Sequence, residues 1–368
     1  MKTIAYYISD YGYGHASRSI AIIRGLLEHK PLIRIIVCTS FPMNFIRESL
    51  NSYSNVQYRV VVNDIGYFLE ENSLEPDIVK LNYEYDQYIN SVSEQISDEI
   101  DFLLKENVDF VISDIAPIPF LGADELAIPS IGISNFTWYT AYKSLLTEKK
   151  LHLLKEAYSK IDHFIALAGA NEPQWGRITN RIFEFISREV NLVEVNRIRS
   201  IVMSNQSKML VYVGFGMKVH VDLLSSWEIW NNDQASFIVS SSHYFEHPNV
   251  SVIPDDYVES QNYIAASDLV ISKAGWGTIS EALSAGKPLL ILRRSGMQED
   301  ANTIEYLQRR NLCRLLEWDE ISGLEPKSFQ EQYLNFMYDN SSLNHKDEII
   351  SSIIQIIETN HGRRKETI

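Results

Sequence analysis

Short apolar runs alternate with longer amphipathic segments along most of the chain. The apolar runs have the length and composition of buried strands, and the longer segments repeat their apolar positions with the period of a helix. Strands are predicted at Thr3–Ile8, Ile33–Cys38, Asp109–Ile112 and Pro129–Ile133, and helices at Ala16–Glu28, Ser91–Glu106 and Gly122–Leu126. The alternation predicts a parallel sheet with helices on both faces, the doubly wound α/β architecture.

The alternation weakens over residues 178–207, which are charged and polar, and then resumes. Later strands are predicted at Lys208–Val213, Ser236–Ser240, Val250–Ile253, Leu269–Ile271 and Leu289–Leu292. We therefore predict two Rossmann-like domains, 1–190 and 191–345, with a linker near 187–195. A last amphipathic helix, 346–360, is expected to pack back on the first domain. Because ligands of open α/β sheets bind outside the carboxyl ends of the strands, two such domains facing each other would form a cleft.

Charge and composition narrow the classes of partner. The chain has 368 residues and a net charge of −15, which argues against nucleic acid or an anionic membrane as the main partner. No apolar run approaches the roughly 18 residues of a membrane span. Segment 145–158 carries three lysines and suggests a weak peripheral membrane contact, but the overall charge favours a solvated helix. Cys38 and Cys313 lie far apart in apolar contexts, which predicts reduced core thiols and a cytoplasmic location.

The segment Ser267–Pro288 has the pattern of an anion site. A buried strand is followed at once by a Gly-rich turn, and an amphipathic helix opens at Thr278. Glycines let the backbone approach a phosphate, and a helix N-terminus favours negative charge. The candidate ligands of a diphosphate are Lys273, Gly275, Gly277 and Thr278, with a second, weaker turn at Gly214 and Gly216. The alternative for Lys273 is a solvated lysine at a strand end.

Glu281 has two interpretations. It follows Thr278 by three residues, so the two fit a capping box in which Thr278 is the N-cap. In the functional interpretation the carboxylate accepts hydrogen bonds from the hydroxyls of a ribose. The two roles compete for the same oxygen atoms.

The first strand ends in a turn that carries a candidate base. Gly12 and Gly14 allow a tight turn into a helix, and they place His15 at the helix N-terminus. The helix dipole there disfavours imidazolium, so we expect a neutral base near pH 7. Asp114 also follows a strand of the same domain, and pairing with it would fix the tautomer of His15 and raise its basicity. The alternatives are a histidine without a role and an aspartate that caps the following turn.

Gln298 and Glu299 follow the strand Leu289–Leu292, again at a carboxyl end. Amide and carboxylate groups suit sugar hydroxyls, although acids also favour the first turn of any helix. No Asp-x-Asp motif stands at a predicted strand end, so we predict neither a metal nor a cofactor besides the substrate.

These motifs together resemble those of the GT-B glycosyltransferases of the family 1 and family 28 type. The segment 268–302 looks like their nucleotide-sugar motif. A nearer likeness is the transferase-like N-terminal domain of plant arabinokinases. It shares Gly-x-Gly-His-Ala-x-Arg at Gly12–Arg18, Ser-Asp-x-x-Pro at Ser113–Pro117, Asn-Phe-x-Trp at Asn135–Trp138 and Gly-x-Gly-Thr-x-Ser-Glu-Ala-Leu at Gly275–Leu283.

The resemblance implies a role for each candidate. His15 matches the histidine that activates the acceptor, and Asp114 matches its partner. Lys273 stands where plant enzymes have a phosphate-binding histidine, and Glu281 matches the ribose ligand. Gln298 and Glu299 match the pair that contacts the donor sugar, but the plant order is acid then Gln, so the likeness does not extend to the identity of the sugar.

Three functions follow as hypotheses. The first is an inverting, metal-independent transfer from a UDP-sugar, or another nucleotide-sugar, to an acceptor hydroxyl. The second is a UDP-sugar hydrolase of the type found in nonulosonic acid synthesis, which the Gly-x-Gly-His-x-x-Arg start also resembles. The third is a nucleotide-sugar-binding protein without catalysis. Tyrosines at 83–88 and the aromatics Trp138, Tyr139 and Tyr142 suit stacking on a sugar, but core packing also explains them.

Overall fold

The computed structural model describes residues 1–70, 75–203, 209–216, 224–293, 296–317, 320–321 and 343–359. These residues fall into two units, one holding Met1–Glu70, Pro76–Glu184 and the residues from His345 onward, and the other holding Glu75 and Phe185–Asn344. The chain leaves the first unit after Glu184 rather than after residue 190. The reason is local, because Phe185 is fully buried in the second unit against the rings of Trp276 and Tyr306.

A seven-stranded parallel sheet forms the first unit, in the order β3-β2-β1-β4-β5-β6-β7. The strands are β1 (Thr3–Ile8), β2 (Arg34–Thr39), β3 (Val56–Val60), β4 (Phe110–Asp114), β5 (Ser130–Ser134), β6 (His163–Ala166) and β7 (Thr179–Ile182). The central strands β1, β4 and β5 are buried along their whole length, as expected for a sheet covered on both faces. The edge strands β3 and β7 are partly exposed and polar, so apolar runs do not reveal them.

The first unit carries its helices between these strands, at α1 (Tyr13–His29), α2 (Met43–Ser49), α3 (Ile78–Lys105), α4 (Ile118–Glu125), α5 (Trp138–Ala141) and α6 (Glu148–Ser159). Helix α3 is much longer than the predicted 91–106. It starts where the Asp77 side chain accepts a hydrogen bond from the Lys80 N–H at 2.9 Å. Its first half buries Leu81, Tyr85 and Tyr88 at helical spacing, so the tyrosines of 83–88 include core residues.

Helix α6 is the segment considered for a membrane contact. It buries Leu151, Leu154, Ala157 and Tyr158, and Lys150 forms an ion pair with Asp86 at 2.6 Å. Its apolar face is therefore packed inside the first unit. Within the part of the chain that the structure describes, no helix is both long and apolar enough to span a membrane.

A six-stranded parallel sheet forms the second unit, in the order β10-β9-β8-β11-β12-β13. The strands are β8 (Met209–Gly214), β9 (Ala235–Ser240), β10 (Val250–Ile253), β11 (Leu269–Lys273), β12 (Leu289–Leu292) and β13 (Arg314–Leu316). The helices are α7 (Leu192–Val202), α8 (Gln261–Ala266), α9 (Trp276–Ser284) and α10 (Gln298–Arg309). Cys38 in β2 and Cys313 beside β13 are buried free thiols.

The last helix, α11 (Lys346–Thr359), belongs to the first unit and packs on α1. Its buried face consists of Ile349, Ile350, Ser352, Ile353, Ile356 and Ile357. This isoleucine stripe has nearly the 3.6-residue period of a helix with one side against a core.

Each sheet has one point where the strand order changes direction. In the first unit this point lies between β1 and β4, and in the second it lies between β8 and β11. At such a point, the loops that follow the two adjacent strands run in opposite directions. A crevice forms between these loops, and open α/β sheets bind their ligands there. The candidate residues at 12–15 and 114, and those at 214–216 and 273–278, follow these four strands.

Candidate functional site

The candidate base lies at the change of strand order in the first unit. Strands β1 and β4 are neighbours, with Ile8 opposite Asp114. Gly12 is the N-cap of α1 at φ 86°, a left-handed conformation that glycine adopts without strain, and Gly14 follows in the first turn. This turn brings His15 back over the end of the sheet, where it is only 6% exposed.

His15 and Asp114 are in contact, with Nδ1 of the imidazole 2.8 Å from Oδ1 of the carboxylate. Burial lowers the pKa of His15, and although Asp114 raises it, Arg18 lowers it again, so that it stays below the ordinary value. The neutral state expected from the helix dipole is thus produced mainly by burial. Asp114 does raise the pKa of His15, as expected, but burial and Arg18 together outweigh the carboxylate.

Arg18 is a member of this cluster that the chemical interpretation of the sequence missed. It is 2% exposed, and its Nε and Nη2 donate to Oδ2 and Oδ1 of Asp114 at 2.6 and 2.5 Å. Burial would raise the pKa of Asp114, but Arg18 and then His15 bring it down to about 2. The signal was an arginine three residues after His15, on the same face of a helix whose other positions are mostly apolar.

Aromatic side chains pack beside the cluster of His15, Asp114 and Arg18. The Phe136 ring lies 5.6 Å from the imidazole of His15, and Trp138 stacks on Tyr142 at 5.0 Å. Trp138 and Tyr142 are each 1% exposed. The core interpretation of these two aromatics is therefore correct, whereas stacking on a sugar is not available to buried rings.

The phosphate-side candidates of the second unit also meet at the change of strand order. Gly214 ends β8 opposite Ser272 of β11, whose hydroxyl donates to the Gly214 carbonyl at 2.8 Å. Gly216 has φ 73°, and a Cβ there would lie 3.2 Å from Cε of Lys273. The Lys273 side chain therefore runs across Gly216. The two glycine turns and the lysine form one cluster.

Helix α9 begins at Trp276, with Gly275 as its N-cap and no side-chain cap. The predicted capping box is therefore wrong, because Thr278 already lies in the first turn and Glu281 lies beyond it. The helix starts early because Gly275 takes the extended cap conformation and its carbonyl accepts from Ile279 N at 3.1 Å. Gly277 and Thr278 lie in the first turn, where backbone N–H groups lack an intrahelical acceptor and the dipole attracts anions.

Glu281 binds Arg188 instead of capping its helix. Nε and Nη2 of Arg188 both donate to Oε1 of Glu281, at 3.0 and 2.8 Å. The remaining Nη1 donates to the Val258 carbonyl at 2.6 Å, and Arg188 is 2% exposed. Burial raises the pKa of Glu281 more than Arg188 lowers it, so it stays above the ordinary value. Sequence reasoning missed Arg188 because it placed this residue in the linker.

Gln298 and Glu299 open helix α10, as predicted. The Gln298 amide donates to Oδ1 of Asn302 at 2.9 Å, four residues on and on the same face of the helix. Gln298 is exposed and Glu299 is half-buried.

Comparison with known proteins identifies the architecture. Residues 231–358 match the model of the glycosyltransferase family 28 C-terminal domain. The L-arabinokinase of Arabidopsis thaliana is 24% identical over 325 residues, which cover 83% of this chain and 30% of that protein. The chain therefore spans less than a third of the length of this relative.

Solved structures match the chain over nearly its whole length. UGT89C1 of Arabidopsis thaliana has a TM-score of 0.66 at 12% identity and covers 96% of this chain and 99% of its own. The calicheamicin glycosyltransferase CalG4 has a TM-score of 0.62 at 14% identity, with 98% and 99% covered. SnogD of Streptomyces nogalater has a TM-score of 0.63 at 12% identity, with 97% and 99% covered.

The chain has the GT-B fold. The predicted fold class and the resemblance to arabinokinases are confirmed. In this GT-B chain, the first unit carries the His15 cluster and the second carries the Lys273 cluster, each at its own change of strand order.

In residues that the structure describes, no three His, Cys, Asp or Glu side chains are arranged to hold a metal ion. That the reaction needs no metal stays a prediction.

Proposed function

We propose that this protein is a glycosyltransferase that moves a sugar from a UDP-sugar to an acceptor hydroxyl, with inversion and without a metal. The observation that carries the proposal is the buried contact between His15 and Asp114 at the ends of β1 and β4. The match to glycosyltransferase family 28 and the GT-B fold of the glycosyltransferases CalG4 and SnogD support this choice of reaction.

His15 is proposed as the general base. With Nδ1 directed at Asp114, Nε2 is the nitrogen that accepts the proton of the acceptor hydroxyl. The hydroxyl oxygen forms a bond to the anomeric carbon as the bond from that carbon to the diphosphate oxygen breaks, and the electron pair leaves with the diphosphate. One displacement of this kind inverts the anomeric centre. A positioned base typically contributes about 10²–10⁴-fold in rate.

The Lys273 cluster is proposed to bind the leaving diphosphate. The ammonium group supplies a positive charge, and the first turn of α9 at Gly275–Thr278 supplies backbone N–H groups and the helix dipole. Gly214 and Gly216 bring a second backbone turn beside the lysine. Fixed charges and dipoles aimed at a developing anion stabilise the transition state without reorganisation.

The remaining candidates are assigned to the donor. Glu281 is proposed to accept from the ribose hydroxyls through Oε2, the oxygen outside its pair with Arg188. Gln298 and Glu299 are proposed to contact the sugar. UGT89C1 has been solved with UDP, and UGT2 of Phytolacca americana with UDP-2-fluoro-glucose, which supports a uridine donor here.

The test begins with the donor and ends with the product. Thermal shifts with UDP-, GDP- and dTDP-sugars identify the nucleotide, and we expect the UDP-sugars to stabilise the protein most. The selected donor is then incubated alone and with a panel of hydroxyl acceptors. The panel includes quercetin and pterostilbene, which occupy the structures of UGT89C1 and UGT2.

Transfer predicts UDP release that depends on the acceptor, together with a new glycoside of inverted configuration. Rapid release of free sugar from the donor alone would contradict transfer and support a UDP-sugar hydrolase. Tight donor binding without turnover across the panel would contradict it as well and support a binding protein.

A further inference from the structure

The guanidinium of Arg18 joins the polar groups around His15. Besides its two bonds to Asp114, Nη1 donates to Oδ1 of Asn135 at 2.6 Å and Nη2 donates to Oγ of Ser134 at 2.9 Å. Nη2 also lies 2.8 Å from Nδ1 of His15. An arginine keeps its charge throughout the working pH range of proteins, so this cluster holds a permanent cation beside the imidazole.

Two proton arrangements fit these distances. In one, the two protons of Arg18 Nη2 go to Asp114 and Ser134, the proton on His15 Nδ1 goes to Asp114, and Nε2 is basic. In the other, Nη2 donates to Nδ1, the proton of the imidazole sits on Nε2, and His15 is not a base at that atom. The second arrangement places the Nδ1 lone pair 2.8 Å from a carboxylate oxygen and takes the Nη2 proton from Ser134. The first avoids both costs and gives all three protons a carboxylate or hydroxyl acceptor, although it leaves two donors, Nη2 and Nδ1, 2.8 Å apart without a bond between them.

The charged groups that act on His15 come from two elements. Asp114 ends β4 and Arg18 lies on α1, while the segment from the end of β5 adds the neutral Ser134, Asn135 and Phe136. A lone buried carboxylate would stabilise the imidazolium. The guanidinium balances that carboxylate, so the trio of Asp114, Arg18 and neutral His15 has no net charge.

We propose that Arg18 is a positioning residue that holds His15 as the neutral tautomer with its proton on Nδ1, so that Nε2 is ready to accept a proton. Arg18 does this by keeping Asp114 a fixed anion and by opposing a second proton on the imidazole. The inference rests on the function proposed above. The low pKa of Asp114, about 2, and the lowered pKa of His15 agree with it.

The first test is the pH profile of kcat/KM, measured as UDP release with the UDP-sugar selected by thermal shift. In Arg18→Gln the imidazole loses the opposing charge, so the acid limb of the profile moves to higher pH. We expect activity at pH 7 to fall at least about tenfold and to recover to within about threefold of the wild type at pH 9. Arg18→Lys keeps the charge, so its acid limb stays near that of the wild type even if its rate falls.

Arg24→Gln is the matched control, because it removes an arginine from the same helix whose Nη2 bonds the Ser49 carbonyl. Its profile is expected to coincide with that of the wild type. A loss of the same factor at every pH in Arg18→Gln would show that Arg18 only supports the structure, and would overturn the proposal. An acid limb that moves as far in Arg18→Lys as in Arg18→Gln would overturn it too.

The second test does not need activity, and its result is read from the wild-type protein. Nitrogen NMR of wild-type protein with labelled histidine reports the tautomer of each ring, and His15→Asn assigns the signals. We expect a proton on Nδ1 of His15 and a bare Nε2 at pH 7. A proton on Nε2, or imidazolium at pH 7, would contradict the inference. Failure of the transferase proposal would leave this NMR result interpretable, so the two failures can be told apart.

Discussion

Two buried arginine–carboxylate pairs, one in each unit, are built differently. Arg18 engages both oxygens of Asp114, whereas both bonds from Arg188 end on the same oxygen of Glu281. All four side chains are 6% exposed or less. Burial raises the pKa of both carboxyls, yet the fork of Arg18 brings that of Asp114 to about 2, while that of Glu281 remains above its ordinary value.

The difference teaches what each carboxylate is suited to do. A carboxylate with both oxygens held by a guanidinium is a fixed anion, and it can act only on a neighbour such as His15. A carboxylate held by one oxygen keeps the other for a further donor. This contrast supports the assignment of Asp114 to positioning and of Glu281 to a ribose.

Breaking the first pair is expected to have the largest effect on stability. Asp114→Asn leaves the Arg18 charge buried without its counter-ion, which costs about 3–5 kcal/mol in the free energy of unfolding. Because the folded pKa of Asp114 is about 2 and below its ordinary value, its contribution is present above about pH 4 and is lost as pH falls toward 2. Urea unfolding from pH 7 to pH 3 measures both effects.

The control for that variant is Asp124→Asn. Asp124 is 28% exposed at its side chain and pairs with Arg177 and Lys160, so its loss should cost about 1 kcal/mol or less. Equal destabilisation by the two variants, or a difference that does not shrink at low pH, would contradict the account of the first pair.

A change at Oε2 of Glu281, the oxygen that Arg188 does not contact, tests the difference between the two pairs. Glu281→Gln leaves Arg188 a neutral acceptor in place of its counter-ion and places an amide donor where Oε2 stands. We expect the KM for the UDP-sugar to rise about tenfold or more, as for a lost hydrogen bond to a charged group, with kcat within a few-fold of the wild type. Glu305→Gln, in an exposed ion pair on α10, is the control. A fall in kcat with no change in KM would contradict the assignment of Glu281 to the ribose.

A smaller effect on stability and UDP affinity is expected at Gly216, the glycine beside Lys273. Gly216→Ala forces a side chain into a left-handed conformation, at a cost of about 1–2 kcal/mol, and presses its Cβ on Lys273. Gly275→Ala is the matched control, because φ there is −70° and its Cβ meets Lys273 at an ordinary 3.4 Å. Thermal stability and UDP affinity should fall more in the first variant. Equal losses of stability and UDP affinity in the two variants would show that the close approach of Gly216 does not position the Lys273 side chain.

No effect at all is expected from removal of metals. Treatment with EDTA should leave acceptor-dependent UDP release unchanged, because the charge of Lys273 and the first turn of α9 are proposed to serve the leaving group. A loss of activity that Mg²⁺ or Mn²⁺ restores would contradict the metal-independent mechanism.

The sequence predicted the parts of the site that depend on short local patterns. Central strands are apolar runs, and the residues just after them must lie at the carboxyl edge of the sheet. This is why His15 and Asp114 could be paired across 99 positions of sequence.

The sequence did not predict side chains whose hydrogen-bond partners lie far away along the chain, because no local pattern indicates such partners. Arg18 binds groups 96 to 117 residues away, and Arg188 binds Glu281 93 residues away. The capping box at Thr278 failed for a related reason. The motif fits locally, but Gly275 can cap the helix through its backbone alone, and Arg188 takes the carboxylate that the box requires.

The central claim is that His15 is the base of a glycosyl transfer, and His15→Ala tests it most directly. UDP binding, measured by thermal shift, should remain as in the wild type, because the proposed diphosphate and ribose ligands lie in the second unit. Acceptor-dependent UDP release should fall at least about 100-fold. Release within a few-fold of the wild type, with UDP binding intact, would contradict the claim.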